Sequence, residues 1–303
     1  MTTRADLHIH TKASGDALND PEAVFQAAER AGLAAISFTD HDSFGSIAAG
    51  RELAKKYPVK FMTGIELSTA WNGEYAHILA YFKNDPDIKF TKIISDSAHS
   101  GARSMAMPII NKMREMGYDI SFEEYEKAAA KSAPGDSPLF RLTVKKGFAR
   151  DLADYRRLFG DLWQEDAALA FPETREIIAA VHDAQGLAVL AHPGGSKKNR
   201  IFAFLARDIE TLIESGLDGL EAYHELNNER TSALLLEIAK HHRMMVTGGS
   251  DSHGVKGARP IGSYTCDWEM FASGFEKRTE KNTFKCLKGT MSEIAEARKL
   301  IAR

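Results

Sequence analysis

The chain has 303 residues and a mass of 33.4 kDa, room for two average domains or one large α/β barrel. Hydrophobic residues make up 44% and charged residues 27%, which excludes a disordered or collagen-like chain. Thirty-nine Lys and Arg face forty-two Asp and Glu, a net charge of −3, so a general nucleic-acid coat is excluded and any anion binding must be local. No apolar run reaches the roughly 18 residues of a membrane span. The N-terminus, Met1-Thr2-Thr3-Arg4-Ala5-Asp6, shows no apolar signal region. Two cysteines, Cys266 and Cys286, make neither a disulfide framework nor a thiolate zinc site and are expected as packing thiols. A cytoplasmic protein is expected, with no membrane association and no obligate protein partner.

The first 85 residues alternate strand and helix. Residues 5–9 read as a short strand. Asn19-Asp20-Pro21 then opens a helix: a capping side chain precedes a proline whose missing N–H costs nothing in the first turn. Gly32 suits a left-handed helix end. Residues 34–39 are expected as the second strand, 43–56 as the second helix and 59–63 as the third strand. This rhythm predicts a parallel sheet or barrel. Asn72-Gly73 signals a hairpin turn between arms at 65–71 and 74–82.

The rhythm breaks between residues 88 and 170. Helices are expected over 91–116, 122–131, 138–146 and 151–159, with Pro108 kinking or dividing the first. Met105, Met107, Met113 and Met116 fall on that first helix and are expected to pack an insertion against the barrel. Residues 91–160 hold twelve Lys/Arg and nine Asp/Glu, a local net of +3. The stretch reads as an inserted helical lid domain; the alternative is extra helices packed on the outside. The barrel is then expected in two parts, 1–87 and 171–303. After Pro172, helices at 173–185, 203–215 and 228–242 lead into strands at 187–191, 218–223 and 244–248, about seven strands in all. Residues 255–285 show no regular pattern.

Eleven histidines occur; seven fall in or just beyond expected strands, and six of these converge with Glu66 and Asp251. His8-Ile9-His10 ends the first strand, where residues two apart share a face about 7 Å apart. His41 follows strand two in Thr39-Asp40-His41-Asp42, and Glu66 follows strand three. His192 follows strand five in Ala191-His192-Pro193-Gly194-Gly195. Asp251 and His253 follow the last strand in Gly249-Ser250-Asp251-Ser252-His253. In an α/β barrel one rim collects all the loops after the strands. The hairpin adds a geometric argument. With Asn72-Gly73 as the turn, paired residues have numbers that sum to 145. Glu66 then faces Leu79, Ser68 faces His77, and Glu66 and His77 are diagonal neighbours on one face. Asp16 joins this set from the loop after strand one. Imidazole and carboxylate ligands without thiolate suit Mn, Zn or Fe, and nine of them exceed one ion and suggest two or three. Such a cluster activates water and clamps phosphoryl oxygens, which predicts a multinuclear phosphoester hydrolase.

Asp6-Leu7-His8-Ile9-His10, Thr39-Asp40-His41-Asp42, Gly64-Ile65-Glu66, Ala191-His192-Pro193-Gly194 and Gly249-Ser250-Asp251-Ser252-His253 resemble the motifs of the PHP (polymerase and histidinol phosphatase) family, in family order across residues 6–254. The insertion between His77 and His192 resembles a branch that acts on nucleotide phosphates, including 3′,5′-bisphosphates, and on ends of short RNA. The resemblance implies a distorted (β/α)7 barrel with three metal ions. His8, His10, Glu66 and Asp251 would hold the first. Glu66 would bridge to the second, held also by His77 and His192. Asp16, His41 and His253 would hold the third. A water bridging the first two ions, held by Glu66 and its neighbours, is the expected nucleophile.

For the phosphate, candidate contacts are Arg103 and Arg141 in the insertion, Lys197 and Lys198 after the His192 loop, and His224 after strand six, which is also a candidate proton donor. For the four cations a solvated surface role is the alternative. Two stretches depart from the nucleotide branch, Ser137-Pro138-Leu139-Phe140-Arg141 and Gly195-Ser196-Lys197-Lys198. Both lie where substrate is expected, so they bear on substrate rather than on the metal chemistry. His99, His182, His241 and His242 are expected to be structural. The leading expectation is a phosphoesterase acting on a small nucleotide. The alternatives are a histidinol-phosphate phosphatase, a 5′→3′ exonuclease on short RNA with Phe140, Phe148 and Tyr155 as stacking platforms, and a degenerate metal-binding interaction domain.

Overall fold

The computed structural model describes residues 3–133, 136–162, 170–195, 201–254 and 259–288. Lys197 and Lys198, and the side chain of Cys286, lie outside the described residues. The chain opens with β1 (Arg4–Ile9), α1 (Pro21–Arg30), β2 (Ala35–Phe38), α2 (Ile47–Leu53), β3 (Lys60–Trp71) and β4 (Glu74–Phe82). Asp20 caps α1 by accepting from the Glu22 N–H, with Pro21 in the first turn, as its sequence requires. Helices α3 (Ile88–Glu115), α4 (Phe122–Ala129), α5 (Pro138–Lys145) and α6 (Leu152–Phe159) follow. Alternation then resumes with α7 (Thr174–Asp183), β5 (Leu187–Leu190), α8 (Ala206–Glu214), β6 (Gly219–Tyr223), α9 (Glu229–His242) and β7 (Met245–Gly248), and the last elements are β8 (Cys266–Asp267) and α10 (Trp268–Lys288).

Eight strands form one sheet in the order β7-β6-β5-β4-β3-β2-β1-β8. Strands β1, β2 and β3 run parallel, as do β5, β6 and β7, while β4 is antiparallel to both its neighbours. The sheet curls until its ends meet. Beyond β7 the Asp251 N–H donates to the His8 carbonyl at 2.7 Å, and the His10 N–H donates to the Ser252 carbonyl at 3.1 Å. This is the α/β barrel expected from the motifs, with a short eighth strand added antiparallel to β1. The hairpin register is the expected one: Glu66 pairs with Leu79 and Ser68 with His77.

Several boundaries differ from the sequence expectation, each for a visible reason. The third strand and the first hairpin arm are one strand, β3, so Glu66 lies inside a strand rather than after it. Helix α2 starts at Ile47 because the side chains of Ser43 and Ser46 turn back to the Gly45 N–H and to Asp40. Pro108 does not divide the first insertion helix; α3 runs 28 residues through it. The segment without legible pattern contains α10, whose Trp268, Phe271 and Phe275 lie three and four residues apart and are buried against Ala5, Tyr81 and Val189. Cys266 is buried there too, and burial pushes its thiol up to about 12, consistent with a packing role.

The methionines also differ from expectation. Met113 is buried among Ile109, Ile110, Tyr125, Leu139 and Phe159, all from the insertion, while Met107 and Met116 are exposed. The insertion therefore has its own hydrophobic cluster. Helix α3 links the two bodies: Phe90 and Ile94 sit in the barrel core, and Ala106, Ile109, Ile110 and Met113 sit in the insertion core.

Truncating Phe271 should show that α10 belongs to the barrel. This ring is 2% exposed and packs edge-on against Tyr81 at 5.2 Å. Phe271→Ala is expected to cost about 3–5 kcal/mol, measured by urea unfolding. A loss below about 1 kcal/mol would mean that the helix merely rests on the surface.

Candidate metal centre

The interior of one barrel rim is lined by imidazoles and carboxylates. His8 and His10 come from the end of β1, His41 follows β2, Glu66 is inside β3 and His77 inside β4. His192 follows β5, His224 follows β6, and Asp251 and His253 follow β7. Period-two alternation explains why His8 and His10 point inward together. Three loop residues near the cluster, Asp42, His192 and Asp251, hold positive φ values of 49°, 27° and 51°. Such backbone is rare for residues with a Cβ and concentrates at functional sites. Gly249 is required beside them, because a Cβ there would lie 2.2 Å from the Cβ of His8.

Glu66 is the centre of the arrangement. Its Oε2 lies 3.3 Å from His8 Nε2, 3.1 Å from His10 Nε2 and 3.1 Å from His41 Nδ1. Its Oε1 lies 3.0 Å from His77 Nδ1 and 2.9 Å from His192 Nε2. Asp251 Oδ1 reaches His10 at 3.2 Å and His253 at 3.4 Å, and Asp16 Oδ2 reaches His253 at 3.2 Å. All nine residues singled out from the sequence therefore meet in one place. His8, His10, Glu66 and Asp251 can converge on one cation, as can His41, Glu66 and His77, and also His10, His41 and His253.

The chemistry of the donors fits divalent cations. Asp16 Oδ1, His41 Nδ1, Glu66 Oε2, His77 Nε2 and His192 Nδ1 are buried without hydrogen-bond partners. Leaving a buried polar atom unmatched costs roughly 1–3 kcal/mol, so native proteins rarely do it without a ligand. Mixed imidazole and carboxylate donors are those that Mn, Zn and Fe accept. Burial disfavours charge on Glu66, but His77, His8 and His41 outweigh it and hold the carboxyl well below its usual range. Asp251 is held low against burial by His8 and His253. Burial dominates at His41 and lowers it to about 3, so this ring is neutral and free to ligate. At His10 burial is overcome by Asp251 and Glu66, which raise it to about 9.

Partner residues orient the ligands. Glu221 Oε1 accepts from His8 Nδ1 at 3.0 Å, and its Oε2 accepts from the His192 backbone N–H at 2.8 Å. His8 thereby turns Nε2 to the cluster. Glu221→Gln is expected to weaken metal binding roughly 10–100-fold, read by titrating Mn²⁺ into metal-stripped protein; unchanged affinity would show that Glu221 orients nothing. Asp40 accepts from Thr11 and Ser14, and Ser14 in turn accepts from the His41 N–H and pairs with His10 Nδ1 at 3.0 Å. Asp6 accepts from the Ser250 and Gly262 N–H groups, and burial raises its carboxyl to about 6. His224 Nδ1 accepts from the Leu226 N–H at 3.0 Å, so its hydrogen sits on Nε2, 3.4 Å from Asp251 Oδ2.

The insertion arginines expected at the substrate have partners of their own. Arg103 binds Glu126 at 2.6 Å and covers the Phe122 ring, and Arg141 binds Asp136 at 2.7 Å. Phe148 and Tyr155 pack against the insertion's own cluster, and the Phe140 ring packs on Tyr155. Two other arginines touch the site. Arg259 pairs with Asp251 and, at 2.7 Å, with Glu225. Arg156 reaches Asp16 from α6. Sequence reasoning missed both, and missed Glu221. Glu221 carried a signal, a lone carboxylate alternating with Leu220 and Ala222 in a strand. The arginines carried none, since neither sits in a strand-end motif. His99, His182 and His242 bind Ser95, Asp218 and Glu210, as structural residues do.

Residues 6–162 match the PHP domain family, just over half of the chain. The chain belongs to that family. Relatives include the phosphoribosyl 1,2-cyclic phosphate 1,2-diphosphodiesterase of Eggerthella lenta, 27% identical over 84% of this chain and 96% of the relative. The 3′,5′-nucleoside bisphosphate phosphatase of Chromobacterium violaceum is 25% identical over 85% and 90%. The 5′-3′ exoribonuclease of Escherichia coli is 28% identical over 82% and 84%. A solved candidate metal-dependent phosphoesterase from Bifidobacterium adolescentis matches with a TM-score of 0.73 at 24% identity, over 89% of this chain and 94% of the other, which shows the shared fold. Among the described residues of this PHP protein, no helix is long and apolar enough to cross a membrane.

Proposed function

We propose that this PHP-family phosphoesterase releases phosphate from a small nucleotide, such as a nucleoside 3′,5′-bisphosphate, with three divalent ions of Mn, Zn or Fe at the rim cluster. The broader class, a hydrolase of phosphoester bonds, follows from its family and relatives. The observation that carries the metal part of this reading is Glu66, whose two oxygens face five imidazoles and divide the cluster into two halves; the nucleotide substrate is supported by the likeness to the 3′,5′-nucleoside bisphosphate phosphatase. In this reading His8, His10, Glu66 and Asp251 hold one ion, Glu66, His77 and His192 a second, and Asp16, His41 and His253 a third. Bound there, the ions supply an activated water and neutralise charge on phosphoryl oxygens.

The chain's own groups do the rest. Glu221 fixes the His8 ring, and Asp40, through Ser14, fixes His10 and His41. His224 offers Nε2–H to a phosphoryl or leaving-group oxygen, because its Nδ1 is committed to the Leu226 N–H. The closed, largely buried rim excludes water from these hydrogen bonds and strengthens them.

The test is phosphate release by Mn-reconstituted protein from nucleoside monophosphates, nucleoside 3′,5′-bisphosphates, a cyclic phosphodiester, short 5′-phosphorylated RNA and histidinol phosphate. Turnover is expected with the bisphosphate preferred, lost on chelation and restored by Mn²⁺. Turnover that survives complete metal removal, or that is confined to histidinol phosphate, would overturn the reading.

A further inference from the structure

Asp16 lies outside the barrel strands, on the loop after β1, yet two separate contacts tie that loop to the helical insertion. Arg156 of α6 donates from one guanidinium nitrogen to Asp16 Oδ2 at 3.1 Å and to the Asp16 carbonyl at 3.2 Å. Next to it, Gly15 lies directly against the backbone of Asp136 and Ser137. A Cβ at Gly15 would sit 2.1 Å from the Ser137 nitrogen and 2.5 Å from the Asp136 carbonyl carbon. That approach has no room for any other residue.

The consequence falls on the two carboxylate oxygens. Asp16 Oδ2 is shared between Arg156 and His253 Nε2, the latter at 3.2 Å. Asp16 Oδ1 is buried and has no hydrogen-bond partner. A single guanidinium gripping both the side chain and the carbonyl of one residue fixes its rotamer. Here the fixed rotamer commits one oxygen to Arg156 and His253 and leaves the other buried and without a hydrogen-bond partner.

We propose that Arg156 is a positioning residue through which the docked insertion sets the affinity of the third metal ion, the one assigned to Asp16, His41 and His253. This rests on the metal reading given above. The insertion is then part of the metal centre's outer layer. Because α6 packs on the insertion's own core through Phe159, the position of Arg156 depends on that core rather than on the barrel. The other two ions draw on barrel residues alone, and they are independent of this contact.

The experiment is a Mn²⁺ titration of metal-stripped full-length protein by equilibrium dialysis with elemental analysis. Wild type, Arg156→Ala, Arg156→Lys and Gly15→Ala are compared. Arg156→Ala should weaken one ion of three by roughly 10–100-fold, the usual cost of losing an outer partner of a ligand, and leave the other two unchanged. Arg156→Lys, which keeps the charge and can donate to both oxygens but lacks the planar group that fixes the donor directions, should fall between. Gly15→Ala should lose the same ion, since it forces the loop off Asp136 and Ser137. Three ions with wild-type affinity in Arg156→Ala would overturn the inference and leave the metal reading standing. A wild-type protein that binds no Mn²⁺ would overturn the metal reading and this inference with it.

Discussion

Glu66→Ala is expected to lower phosphate release by about 10³-fold or more and to strip the centre of metal at the same time. Removing one preorganised group from an active site typically costs 10²–10³-fold. Glu66 serves both halves of the cluster, with three imidazoles at Oε2 and two at Oε1, so its loss disorganises both. Glu66→Gln separates charge from shape. It keeps the volume in a site that is 1% exposed and removes the anion that offsets five imidazoles. Metal content by elemental analysis and the rate of phosphate release should fall together in both variants. A Gln variant that kept its metals and its rate would show that the carboxylate charge is irrelevant, and the proposed centre would fall.

The second large effect is on stability. Asp40 is 1% exposed and accepts from the Thr11 N–H at 2.6 Å, from the Thr11 hydroxyl, from the Ser14 hydroxyl at 3.1 Å and from the Ser46 hydroxyl. Through these bonds one side chain joins the loop after β1 to the start of α2. Asp40→Ala leaves a buried backbone N–H and up to three hydroxyls without their acceptor. At roughly 1–3 kcal/mol for each unsatisfied group, some of which can rotate to other partners, the expected cost is about 3–5 kcal/mol. It should be measured by urea unfolding of metal-free protein, because bound metal stabilises the native state by mass action and would mask the difference. A cost below about 1 kcal/mol would mean that the loop finds other partners freely. The same variant should also bind metal more weakly, since Ser14 links Asp40 to His10 and His41.

Much of the centre was legible before any coordinates, and the hairpin shows why. A two-residue turn sets strand register, so Asn72-Gly73 alone predicted that Glu66 and His77 would be diagonal neighbours, and the pairing follows that register. The His8-Ile9-His10 pair was legible because a strand has period two. Helix α10 was less so. Its apolar residues fall at helical spacing, but the irregular run before them hid where it begins. Pro108 does not divide α3, because a helix held by two cores tolerates one missing hydrogen bond.

By itself the sequence determined which residues could be ligands, which strand ends carry them, and how one hairpin is registered. These depend on backbone periodicity and turn chemistry, which act over a few residues. Only the tertiary structure decided which partner each charge meets. Arg156 and Asp16 are 140 residues apart, and His8 and Glu221 are 213 apart. A surface arginine has the same local pattern whether it meets solvent, Glu126 or Asp16. The difference arises when barrel and insertion pack, because charge partners are chosen by proximity in space and by burial, and neither is written in local spacing.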